Sequence, residues 1–80
     1  MNAETAIYAA TIEATRAQKL YPKFNSAHEG YAVLLEEVEE LWDEVKKNPR
    51  KRDPAAMREE AVHVAAMALR FLVDLCEDPT

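Results

Sequence analysis

Residues 26–45 read SAHEGYAVLLEEVEELWDEV, and this stretch decides the fold. Ser26 and Glu29 make S-x-x-E, a capping box in which each side chain satisfies a free backbone N–H at a helix start. Tyr31, Leu34, Leu35, Val38, Leu41, Trp42 and Val45 then recur at helical spacing. They form one apolar stripe on a helix expected over about 27–47.

Working outward, Pro22, Pro49, Pro54 and Pro79 divide the chain, and no alternating run of strand character appears. A first helix is expected over about 3–20, with Ile7, Ala10, Ala14, Ala17 and Tyr21 on a thin, alanine-rich stripe. A third is expected over about 54–77. It starts at Asp53-Pro54, an N-cap followed by proline at the first helical position, where its missing N–H costs nothing. From Ala61 to Leu75 this helix is apolar almost all round, broken only by His63, Arg70 and Asp74. Such a helix must be buried on every side, and two companions in a short chain cannot wrap it. The reading is therefore a single all-α domain spanning 1–80. Its three-helix protomer would complete a helical bundle by homo-oligomerisation, as a homodimer or homotetramer.

Composition narrows the classes of function. The chain has 80 residues, 49% of them hydrophobic, which is a full share for a body whose lone core is marginal. A net charge of −5 argues against a general nucleic-acid binder. The lone cysteine, Cys76, rules out a disulfide scaffold within the chain and reads as a small apolar filler. No apolar run is long enough for a membrane span and no secretory signal is visible, so a cytoplasmic setting is expected.

Seven acids lie between Glu29 and Glu44 with no base among them, and pairs such as Glu36/Glu40 and Glu40/Glu44 repel one turn apart. The bases follow instead, from Lys46 to Arg58, in what reads as a solvated interhelical loop. Glu37 and Glu40 are three apart, so their carboxylates share a face at the edge of the apolar stripe. Glu60 and His63 repeat that spacing on the third helix. Carboxylates from facing helices at this spacing are how bundles hold divalent metals, with oxygen ligands favouring Mg²⁺ or Mn²⁺ and a nitrogen tilting toward Mn²⁺ or a later transition metal. Two blander readings stand beside this one: a solvated acidic face, and a hydrogen-bonded core histidine. His28 has no partner in this pattern, and Trp42 reads as core.

The runs KFNSAHEGY (23–31) and LLEEVEELWDEV (34–45) resemble the MazG-like proteins, all-α nucleoside triphosphate pyrophosphohydrolases related to dimeric dUTPases. The family pattern is E-E-x-x-E on one helix and E-x-x-D on the next. Glu36, Glu37 and Glu40 match the first part, and Arg58-Glu59-Glu60 before an apolar helix matches the start of the second. The resemblance covers roughly residues 20 to 75. Where the pattern has aspartate, this chain has His63, so either the imidazole is the fourth ligand or the site has lost an anionic one. A degenerate copy that binds nucleotides or partners without turnover is one further alternative, and a plain helical oligomerisation module with an acidic face is another. The resemblance implies Mg²⁺ or Mn²⁺ held by Glu37, Glu40, Glu60 and His63, with Glu36 as general base. A nucleoside triphosphate would be cleaved between its α and β phosphates. Lys19, Lys23 and Arg58 are the candidates for its outer phosphates.

Overall fold

The computed structural model describes residues 1–76. Among them are three α-helices, α1 (Ala3–Leu20), α2 (Ala27–Val45) and α3 (Pro54–Leu75), with a single 3₁₀ turn at Pro49–Lys51 and no strand. The all-helical reading is thus met, with α2 ending two residues earlier than expected. The expected end of α3 at Glu77 lies outside the described residues.

Caps set the boundaries. Asn2 accepts from the Thr5 N–H at 2.8 Å to open α1, and Asp53 accepts from the Ala55 N–H at 2.9 Å to open α3 with Pro54 in its first turn. At α2 the Ser26 hydroxyl accepts from the Glu29 N–H at 3.1 Å, as the capping box requires. The reciprocal half moves by one residue, however. Glu29 accepts from the Asn25 backbone N–H at 3.1 Å and from its side-chain amide at 3.0 Å, not from Ser26.

Helix α3 runs down the middle, touching α1 on one flank and α2 on the other, while α1 and α2 do not meet. Gly30 lies beside Phe71 and Leu75, whereas Glu37 lies beside Glu60 and His63, so α2 is antiparallel to α3. Helix α1 runs parallel to α3: Glu13 faces His63, and Pro22, just past its end, meets Arg70. The seam between α1 and α3 is made of small residues. Ala10, Ala14 and Ala17 are buried, and Ala66 opposite is fully sealed. Ala14, Ala17, Ala66, Met67 and Phe24 form the core, with Val33, Leu34, Leu69 and Leu75 packed against it. A Cβ on Gly30 would come within 2.8 Å of both Phe71 and Leu75, so glycine permits the close approach of α2 and α3.

The α2 stripe splits in two. Leu34, Leu41 and Val45 are half-buried, but Tyr31, Leu35, Val38 and Trp42 form a second line that stays exposed, Trp42 at 58%. Trp42 is therefore not core within one chain. The helix carries more apolar surface than one neighbour can cover, and α3 takes only one line of it. Ile7 on α1, Tyr21 just past its end, and Leu72 and Val73 on α3 are exposed too. Cys76, expected as filler, is exposed because the chain leaves the helix there. The bases from Lys46 to Arg52 do lie between α2 and α3, whereas Arg58 lies within α3, and the first of them neutralise the end of α2. Lys46 pairs with Asp43 at 2.9 Å, Lys47 with Glu44 at 3.0 Å, and Arg52 donates to the Val45 carbonyl at 2.8 Å.

The segment between α1 and α2 is strapped over the C-terminal half of α3. Arg70, 3% exposed, donates to the Pro22 carbonyl at 3.1 Å and lies 4.4 Å from the centre of the Phe24 ring. Asp74 sits 3.8 Å from the guanidinium and accepts from the Phe24 N–H at 3.1 Å. Both side chains that interrupt the apolar face of α3 beyond His63 thus have a structural task.

Candidate metal centre

Because α2 and α3 are antiparallel, their i, i+3 pairs face one another. Glu37, Glu40, Glu60 and His63 each offer a ligand atom, and all four atoms lie within 4.8 Å of one another. His63 Nδ1 is 3.6 Å from Glu60 Oε2 and 3.7 Å from Glu37 Oε2. Two oxygens on one Mg²⁺ are at most about 4 Å apart, so a small side-chain rotation would gather the set around one ion. Glu37 Oε2 and Glu60 Oε2 are sealed from solvent and have no hydrogen-bond partner. Orphaned carboxylate oxygens in a converging set are the groups a cation satisfies, and three carboxylates with one imidazole suit Mg²⁺ or Mn²⁺.

The electrostatics agree with the geometry. Burial pushes the Glu37 carboxyl above the ordinary value of 4.5, and the neighbouring Glu40 carboxylate pushes it further. Burial and Glu40 likewise raise Glu60, while His63 opposes the shift at both groups. A raised folded-state pKa means that the folded chain binds the proton more tightly than the unfolded chain. The stability these two groups contribute is therefore full below 4.5 and is lost as pH rises through their raised values. Urea titrations of the metal-free protein should show wild type losing stability relative to Glu60→Gln between that pH and neutrality, and saturating Mn²⁺ should cancel the loss.

On its α1 side the cluster opens into a cleft of about 370 Å³, whose wall includes Glu37 and His63. Tyr21 and Phe24 line it with Glu29 and with Arg16 and Arg70, each arginine paired with a carboxylate, Glu13 and Asp74 respectively. Glu13 also lines the cleft, hydrogen-bonded to Arg16 at 2.6 and 3.0 Å, and that bond holds its carboxyl below the ordinary range.

The remaining candidates lie elsewhere. Glu36 is exposed and outside the four-residue cluster. Lys19, Lys23 and Arg58 are exposed and none lines the cleft, though Lys23 borders a smaller hollow beside Asp74. Sequence reasoning missed Glu13 and Arg16 as neighbours of the cluster. Their i, i+3 spacing announces an ion pair, but nothing in the sequence says which face of α1 meets His63.

Comparison with known protein families, characterised proteins and solved structures finds no significant match to this chain. Among the described residues, no helix is long and apolar enough to cross a membrane.

Proposed function

We propose that the protein is a metal-dependent nucleoside triphosphate pyrophosphohydrolase of MazG-like type, releasing a nucleoside monophosphate and pyrophosphate in the cytoplasm. The observation that carries this reading is the convergence of Glu37, Glu40, Glu60 and His63 beside a cleft lined by aromatic, arginine and glutamate side chains. Those four side chains would hold Mg²⁺ or Mn²⁺. When bound, the cation supplies charge neutralisation at the phosphates and Lewis acidity toward the attacking water. Exposed Tyr21 offers stacking surface to the nucleoside, and Arg16 is the accessible cation in the same cleft. Glu36, by the motif, takes the proton from water. Lys19, Lys23 and Arg58, all exposed, are available to outer phosphates, including those bound to a neighbouring subunit. A homodimer or homotetramer is supported by the exposed line Tyr31, Leu35, Val38 and Trp42, too apolar to leave in water.

The test is pyrophosphate release from a panel of ribo- and deoxynucleoside triphosphates with Mg²⁺, with Mn²⁺ and with chelator. Release is expected with metal only, and not from a Glu37→Gln/Glu40→Gln protein. His63 in the aspartate position favours a second reading, a nucleotide-binding module without turnover. Silence with every nucleotide and both metals, alongside retained nucleotide binding, would select it.

A further inference from the structure

The imidazole of His63 has two faces in this fold, and they meet different helices. Nδ1 points to Glu37 and Glu60 at 3.7 and 3.6 Å, while Nε2 points to Glu13 Oε1 on α1 at 3.9 Å. Glu13 is in turn gripped by Arg16, through Nη2 at 2.6 Å and Nε at 3.0 Å. We propose that Glu13 is a positioning residue: it accepts from the Nε2–H of His63, so that Nδ1 is left unprotonated and aimed at the metal between α2 and α3. This rests on the metal-centre reading above.

Three observations carry it. A ligating histidine binds through one nitrogen and needs an acceptor for the N–H on the other, and a carboxylate is a common one. Glu13 is the only acid placed on the Nε2 side by the ion-pair geometry of the described residues. Two hydrogen bonds from Arg16 also orient its carboxylate, and closing the 3.9 Å gap to Nε2 by a small side-chain rotation completes the contact. The chain thereby answers the exchange of aspartate for histidine. A carboxylate ligand needs no tautomer, whereas an imidazole ligand does, and α1 supplies the group that selects it.

The test uses the full chain as wild type, Glu13→Ala and Glu13→Gln. Mn²⁺ affinity is read by calorimetry, and the His63 tautomer by long-range ¹H–¹⁵N spectra of the metal-free protein at a pH where the ring is neutral. Wild type should bind Mn²⁺ with His63 in the Nε2–H form. Glu13→Ala should bind roughly 10- to 100-fold more weakly with a mixed tautomer. Glu13→Gln, whose amide oxygen still accepts, should recover part of both. Unchanged affinity and tautomer in Glu13→Ala would overturn the positioning role and leave the metal centre standing. Absence of Mn²⁺ binding in wild type would remove the metal centre and this role with it. Circular dichroism of each variant separates either result from a loss of folding.

Discussion

Mn²⁺ at a hundredfold excess over its Kd should raise the melting temperature by roughly 10–20 °C, since that excess contributes about 2.7 kcal/mol and a domain this small gains about 4–8 °C per kcal/mol. Calorimetric melting with and without the ion measures it. The size of the effect follows from where the ligands sit. Glu37 and Glu40 belong to α2, Glu60 and His63 to α3, so an ion held by all four would need the packed helices and would find no matching site in the unfolded chain. The Glu37→Gln/Glu40→Gln protein should show no such rise. A single Glu60→Gln substitution carries a sharper signature, because two effects of opposite sign meet in one residue. It removes a carboxylate with one sealed, unpartnered oxygen and an acidic neighbour in Glu40, so the metal-free variant should melt above metal-free wild type at neutral pH. It also removes a ligand, so its response to Mn²⁺ should shrink. A variant less stable than wild type without metal would mean that these carboxylates are structural and would count against the centre.

The second large effect is expected at Arg70. Replacing it by alanine leaves Asp74 buried without its counter-charge, the Pro22 carbonyl without its donor and the Phe24 ring without its cation. Removing one partner of a buried ion pair costs about 3–5 kcal/mol. Against a total of about 4–12 kcal/mol for a chain of this length, that is a large share, and the variant should be partly unfolded at ambient temperature. The double variant Arg70→Met/Asp74→Asn is the informative companion. It removes both charges yet keeps an acceptor for the Phe24 N–H, so it should recover much of the loss in a urea titration. A single Arg70→Ala protein as stable as wild type would mean that the strap does not depend on this contact.

The helices were legible in the sequence because their signals are local. Ser26 and Asp53 act within three residues of themselves, and the spacing of Ala10, Ala14 and Ala17 needs only the helical period. The convergence of Glu37, Glu40, Glu60 and His63 was legible for a related reason: two i, i+3 pairs on adjacent helices come together once those helices are antiparallel. What was hidden depends on which face meets which. Residues such as Leu34 and Trp42 look alike in the periodicity, and only the single flank offered by α3 sorts the buried line from the exposed one. The contact of Glu13 with His63 depends on the rotation of α1 about its own axis, which an alanine-rich stripe barely specifies. Arg70 stood out as a lone base on an apolar helix, but its partners come from a segment about 50 residues away.

The alanine seam between α1 and α3 also has an entropic side. Alanine has no rotamers to lose, so docking α1 along Ala10, Ala14 and Ala17 orders backbone but almost no side chains. The same smallness means that each of these residues removes little apolar area from water. The first helix is thus inexpensive to seat, and its alanines complete the core with Phe24, Ala66 and Met67 rather than adding large apolar surface of their own. It carries Glu13 and Arg16 to the edge of the cluster.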